Sequence, residues 1–299
     1  MEQSGRIAEI KFEKNSLVKG FGGRPMATDI FYLPGERRPV VIYLHGFNGF
    51  KDWGNFDLIA SQFAAAGFAF IKFNSSHNGT SVAHPESFDD LEAYSRNNYS
   101  IELSDLETMV DWATSPQNPH RENIDPGEVY LLGHSRGGGI AILESARDRR
   151  VKKLATWASV SECKTPWGSW SQERIREWEK TGTAYILNSR TNQQMPLGYQ
   201  LFTDYQQHAQ RLDIGAAMAS LDIPVLICHG LTDQAVPVEK AHQLHKYSRH
   251  AELFLVESDH VFGRKHPWPS DQLPPAMRAV VTRTIQFYKQ EIHINEGKG

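Results

Sequence analysis

Six short apolar runs, separated by stretches of helical spacing, constrain this chain more than any other feature. They are Val40–Leu44, Phe68–Phe73, Glu128–Leu132, Lys153–Val160, Pro224–Gly230 and Glu252–Val256. Val40-Val41-Ile42-Tyr43-Leu44 has no polar alternation, as a strand covered on both faces requires. Between and after the runs, helical spacing covers Phe56–Ala66, Tyr99–Ala113, Ile140–Arg147, Val238–Tyr247 and Pro275–Glu291. Strands alternating with helices predict a mostly parallel α/β sheet flanked by helices. Two earlier segments, Arg6–Phe12 and Met26–Leu33, read as antiparallel strands at a sheet edge. The turn cluster Gly20–Pro25 separates them and Pro34-Gly35 closes the second.

Residues 161–219 break the rhythm. They hold Trp167, Trp170, Trp178, Tyr185, Tyr199, Phe202 and Tyr205, with helical spacing best at Gln172–Lys180 and Asp204–Leu212. The segment falls between two sheet strands, so it reads as an insertion in one core made of residues 1–160 and 220–299. Long insertions of this kind are often lids or binding elements, which predicts a helical cap over the sheet. The alternative is a surface excursion built on its own small hydrophobic cluster.

The 32 Lys and Arg against 35 Asp and Glu leave a net charge of −3, which gives no electrostatic reason to expect a nucleic-acid partner. No apolar run approaches the ~18 residues of a membrane span, and Met1–Lys19 lacks the apolar core of a secretory signal. Two cysteines are not a disulfide framework. Cys228 reads as a small buried hydrophobe and Cys163 as a free thiol. A cytoplasmic protein is the expectation.

The chemistry centres on Gly133-His134-Ser135-Arg136-Gly137-Gly138-Gly139. A strand leads in and a helix leads out, which forces a tight turn holding the Ser135 side chain at the end of the sheet. A Cβ at Gly133 or Gly137 would crowd the neighbouring strand and helix. A phosphate-cradling turn is the competing reading, but a P-loop needs Lys then Ser or Thr, and here Gly139-Ile140-Ala141 follows.

This strand–elbow–helix string resembles the nucleophile elbow of the α/β-hydrolase superfamily, over roughly residues 26 to 291. The resemblance implies the α/β-hydrolase fold and a triad in the chain order Ser, Asp, His. Asp233, in His229-Gly230-Leu231-Thr232-Asp233-Gln234-Ala235-Val236-Pro237, is similar to the family's acid loop. His260, in Glu257-Ser258-Asp259-His260, lies past the last strand, where the family keeps its base. A serine hydroxyl needs a base to take its proton, and an imidazole titrates in the operating range. Asp233 would fix the ring's tautomer. Asp259 competes as the acid but sits next to His260 in the chain, where facing it correctly is rare. Glu257 and Asp222 lie inside or before strands. Loop position after the last strand lifts His260 above His229, His242 and His245.

The resemblance also implies an oxyanion hole from two backbone N–H groups, those of Phe47 in His45-Gly46-Phe47-Asn48-Gly49 and of Arg136. Since the donors are main-chain, the side chains at 47 and 136 should be nearly free to vary. Phe47 reads equally as a core aromatic. The loop Asn74–Thr80 departs from the family's usual glycine-rich string. His77 or Asn78 would border the pocket there, though the composition favours a solvated turn. No metal-binding motif or dinucleotide fingerprint is visible, and no cofactor is expected.

With Ser at the elbow, acyl transfer to water through an acyl-enzyme is implied. The strings are similar to small carboxylesterases of the cinnamoyl or feruloyl esterase type, and to the catalytic domain of prolyl-oligopeptidase-like serine peptidases. No propeller domain precedes this one, which counts against the peptidase. The expected partner is a small-molecule ester with an apolar or aromatic group, suggested by the aromatic insertion. A peptidase, a thioesterase and a non-catalytic binding protein on the same fold are the alternatives.

Overall fold

A computed structural model describes residues 9–54 and 56–291. Among the described residues, ten strands and nine α-helices run as β1 Lys11–Lys19, β2 Pro25–Tyr32, β3 Arg38–Leu44, α1 Phe56–Ala65, β4 Ala69–Phe73, α2 Leu91–Arg96, α3 Tyr99–Thr114, β5 Ile124–His134, α4 Arg136–Arg147, β6 Val151–Trp157, α5 Gln172–Thr181, β7 Thr183–Asn188, β8 Gln193–Gly198, α6 Gln200–Gln207, α7 Ile214–Ser220, β9 Val225–Gly230, α8 Glu239–Tyr247, β10 Ala251–Val256 and α9 Pro275–Lys289. Eight strands form one sheet in the order β1-β2-β4-β3-β5-β6-β9-β10, and β7-β8 is a separate hairpin. The β1–β2 and β2–β4 pairings are antiparallel and the rest of the large sheet is parallel.

The unbroken apolar runs are explained by burial on both faces. On β3, Val40, Ile42 and Leu44 enter the core beneath α3 and α4, while Val41 and Tyr43 enter the core beneath α1 and α9. Each fully buried side chain of this kind contributes about 1.5–3 kcal/mol. The edge differs from the sequence expectation. β1 begins at Lys11, beyond most of the expected Arg6–Phe12, whose first three residues lie outside the described residues. As the outer strand it keeps Phe12 and Leu17 more than half exposed, so no buried stripe fixes its position.

Between β6 and β9 the insertion is only partly helical. α5 falls where expected, but the second expected helix, Asp204–Leu212, lies earlier, at Gln200–Gln207. There Asp204 Oδ2 accepts from the Ser100 N–H at the start of α3, 3.2 Å away, a tertiary contact that local spacing does not encode. The hairpin β7–β8 was not expected. Trp178 packs against Trp167, Trp170, Tyr199 and Phe202, with ring centroids 5.2–6.2 Å apart. These aromatics join the core beneath α3 and α4, Trp167 meeting the Tyr99 ring at 5.9 Å, whereas Tyr185 is exposed. Cys163 and Cys228 are free and buried, and burial raises both thiols, Cys228 to about 12.

Candidate active site

Strand β5 and helix α4 meet at Ser135, which adopts φ 55° and ψ −119°. A non-glycine residue there is strained, and such strain persists only where the surroundings over-determine it. Packing supplies that determination. A Cβ on Gly133 would lie 2.3 Å from the Gly137 carbonyl oxygen, and one on Gly137 would lie 2.3 Å from that of His45. The first steric limit sets α4 against β5, and the second sets α4 against the end of β3. The Ser135 N–H donates to the Trp157 carbonyl at 2.8 Å, pinning the turn to the next strand.

Two loops past β9 and β10 supply the other side. Gly230 lets them touch, since a Cβ there would meet the Ser258 carbonyl at 2.3 Å. Asp233 Oδ1 accepts from the N–H groups of Ala235 and Val236 at 2.9 and 2.8 Å, and Oδ2 accepts from His260 Nδ1 at 2.7 Å. His229 Nε2 lies 3.3 Å from the same Oδ2. Burial alone would raise the Asp233 carboxyl. The hydrogen bonds from His229 and His260 and the His260 charge outweigh it and hold Asp233 well below the usual carboxylate range. With Nδ1–H committed to Asp233, His260 Nε2 is the ring's free acceptor.

Ser135 and His260 line one cleft of about 560 Å³. Among the described residues no hydrogen bond joins the Ser135 hydroxyl to the His260 ring; catalytic contacts are often loose before substrate binds. The arms are linked through His134, whose Nε2–H donates to the His260 carbonyl at 3.0 Å and whose ring centroid is 4.8 Å from that of His260. Burial first, then the His260 and Arg264 charges, hold His134 well below an ordinary imidazole, so it is neutral. Sequence reasoning missed His134 as a support, although its place beside Ser135 was the available signal.

The Gly46–Gly49 turn closes with Gly49 N–H donating to Gly46 O at 3.0 Å. Phe47 lines the cleft beside Gly46, and among the described residues no hydrogen bond takes its N–H. The Arg136 N–H is the first of α4 and has no intrahelical partner. His45 anchors the turn: its Nε2 accepts from Ser75 N–H at 3.3 Å, so its Nδ1–H donates to Gly46 O at 2.9 Å.

Three expectations need correction. The Arg136 side chain is not free to vary. It is 1% exposed, its Nε donates to Glu102 at 3.0 Å, and its guanidinium lies 3.9 Å from the Tyr99 ring centroid. Asn74–Thr80 is not a solvated turn. Asn74 through Asn78 are buried, and neither His77 nor Asn78 lines the cleft. Burial and the Arg24 and Arg96 charges push His77 down to about 4. Third, the aromatics lining the cleft are not those of the insertion; Phe47, Phe50 and Trp53 come from the loop after β3. The competing acid Asp259 is used by the backbone, its Oδ1 accepting from Val261 and Gly263 N–H.

Asp29, Asp52 and Asp57 bring carboxylates within metal-ligand reach of one another. Lys51 and Lys72 already occupy that space. Lys51 Nζ lies 2.7 Å from Asp29 and 2.5 Å from Asp52, and Lys72 Nζ lies 2.8 Å from Asp29 and 2.7 Å from Asp57. Desolvation would lower Lys72, but the three carboxylates raise it, so the cluster is a set of internal ion pairs.

A family model described as alpha/beta hydrolase fold matches residues 39–213. The chain belongs to that family. Over 125 residues it is 26% identical to the quorum-quenching protein AidA of Acinetobacter baumannii, covering 42% of this chain and 35% of that protein. The chain thus spans about a third of that curated relative's length. Among solved structures, Est1E from Butyrivibrio proteoclasticus with ferulic acid bound superposes with a TM-score of 0.64 at 18% identity, covering 90% of this chain and 96% of that one. A putative dienelactone hydrolase from Klebsiella pneumoniae gives a TM-score of 0.61 at 15% identity, covering 95% and 100%. These likenesses show the fold. Among the described residues no helix is long and apolar enough to cross a membrane.

Proposed function

We propose that this protein is a serine carboxylesterase with Ser135 as nucleophile, His260 as general base and Asp233 as the acid behind it. The observation that carries the reading is the Asp233–His260 hydrogen bond of 2.7 Å behind a cleft that also presents Ser135. Ser135 Oγ attacks the ester carbonyl carbon and gives its proton to His260 Nε2. Asp233 stabilises the imidazolium that forms. The N–H groups of Phe47 and Arg136 receive the developing oxyanion, each worth about 2.7–4 kcal/mol. The carbonyl-to-alkoxy bond breaks, and the alcohol leaves with the proton from His260. Water then attacks the acyl-enzyme, losing its proton to His260, and the acid departs as Ser135 regains a proton.

The insertion supports the reading as a cap. Ser189 and Arg190, in the turn between β7 and β8, line the same cleft. Its volume lies within the range of small-molecule sites, which fits a small ester.

The decisive variant is Ser135→Ala. It should abolish hydrolysis of short p-nitrophenyl esters and labelling by a fluorophosphonate while the far-ultraviolet circular dichroism stays unchanged. The loss should reach about 10⁴–10⁶-fold in kcat. Unchanged turnover in that variant removes Ser135 from the mechanism. Aminoacyl arylamides and acyl-CoA run alongside separate esterase from peptidase and thioesterase, and a folded parent that takes no probe is a binding protein.

A further inference from the structure

Two arginines are buried among the described residues, Arg136 and Arg264. Arg136 has a carboxylate, Glu102, at 3.0 Å. Arg264 has none within 4 Å among the described residues. Its Nε donates to the Val261 carbonyl at 3.1 Å, and its Nη1 is buried without any hydrogen-bond partner. The rings of Trp53 and Phe56, each 5.3 Å from the guanidinium carbon, screen the charge but offer no acceptor. Burying a charge without a counter-ion is costly, and natural proteins tolerate it where something else supplies the partner. Burial lowers Arg264 to about 10, which leaves it protonated at neutral pH.

Arg264 lines the Ser135 cleft. So does Arg190, which reaches in from the insertion with its guanidinium carbon 5.1 Å from the same Trp53 ring and its Nη2 on the Asn48 carbonyl. Lys265 is a third cation on the lining, and among the described residues no Asp or Glu lines the cleft. The chain as a whole is net negative, so this concentration of positive charge is local. Acids beside the lining are otherwise engaged: Asp233 on His260, Asp259 on backbone N–H groups, and Glu86 4.0 Å from His266.

We propose that the cleft selects esters that carry a carboxylate, with the Arg264 guanidinium as its receptor and Arg190 as a second cation facing it. A planar guanidinium with unused N–H groups matches a carboxylate's two oxygens. The inference rests on the esterase reading and narrows it to anionic substrates.

The test compares substrates that differ only in a carboxylate. Monoethyl glutarate against ethyl pentanoate places the charge on the acyl side; 4-acetoxybenzoate against p-tolyl acetate places it on the alcohol side. In at least one pair the anionic ester should be favoured in kcat/KM by about tenfold to a hundredfold, the range of a hydrogen bond to a charged group. In Arg264→Gln the ratio of anionic to neutral kcat/KM should fall toward one, and Arg190→Gln should lower it by less. Equal or better turnover of the neutral member in both pairs overturns the proposal and leaves the esterase reading standing. If no ester is turned over, the esterase reading fails by itself, and calorimetric titration with glutarate then decides. Binding that weakens in Arg190→Gln, and in Arg264→Gln where that variant folds, supports the anion site; no binding overturns it.

Discussion

The cleft has two arms that handle buried charge in opposite ways. On the serine arm, Arg136, next to the proposed nucleophile, is neutralised by Glu102 and packed on the Tyr99 ring, with the Thr165 carbonyl 3.4 Å from Nη1, although its Nη2 is buried without a hydrogen-bond partner. On the histidine arm, Arg264 stands four residues past His260 with aromatic cover and, among the described residues, no carboxylate within 4 Å. The first charge is consumed in joining α4 to α3 and to the start of the insertion. The second lines the cleft without such a tie among the described residues. Similar burial therefore means different things: a neutralised guanidinium is architecture, whereas an unneutralised one is available to a ligand.

The comparison can be broken at four points. The largest effect is expected on the histidine arm. Asp233→Asn should leave the fold intact but lower kcat by about 10⁴-fold, because the amide no longer imposes the Nδ1–H tautomer; steady-state kinetics against p-nitrophenyl acetate reads this directly. Next, Glu102→Leu on the serine arm strands Arg136 in a buried site, and urea denaturation should show a loss of about 3–5 kcal/mol.

A pH-dependent effect follows on the serine arm. Glu144 on α4 is buried, and neither carboxyl oxygen has a hydrogen-bond partner. Burial raises it to about 8 from an ordinary 4.5, against a smaller opposing effect from Arg147. The folded state thus keeps a proton that the unfolded chain loses. The Glu144 contribution to stability should be most favourable below about pH 4.5 and fall as pH rises toward 8. Glu144→Gln should flatten that decline, gaining roughly 2–4 kcal/mol over the parent at pH 8.5. Parallel denaturation curves at pH 5 and pH 8.5 measure it, and an equal parent-to-variant gap at both would refute it.

The smallest effect is the sharpest contrast. Arg264→Met, which replaces a charge that no carboxylate neutralises, should change stability by less than about 1 kcal/mol. A loss as large as that of Glu102→Leu would mean that Arg264 is architectural too, and the difference between the arms would vanish.

Much of the site was legible because it is built from short-range constraints. Gly133, Ser135 and Gly137 must lie at that spacing for a strand to turn into a helix, and the contacts a Cβ would make at each glycine bear this out. Asp233 and His260 were singled out by the resemblance of their loops, each past a parallel strand, to the family's acid and base loops, and a hydrogen bond joins the two side chains. The order of strands and helices was legible for the same reason, since double-sided burial leaves unbroken apolar runs such as Val40–Leu44. What was misread depends on distant partners. The loop at Asn74–Asn78 has a solvated composition, yet Ser76 N–H and Oγ both reach Asp105 at 2.8 Å, which satisfies it in the interior. The hairpin β7–β8 alternates too weakly to stand out, with Tyr185 and Leu187 exposed.

The amino-acid sequence alone determined the layered α/β architecture and the tight turn at Ser135, because hydrophobic period and glycine spacing act over a few residues, and the resemblance of two loops pointed to the candidate acid and base. The tertiary structure alone decided which charges are neutralised: Arg136 by Glu102, Lys51 and Lys72 by three aspartates, and Arg264 by no carboxylate within 4 Å among the described residues. Ion pairing is fixed by distances between elements remote in the chain, and a Coulomb interaction that decides a site's selectivity leaves no local pattern to read.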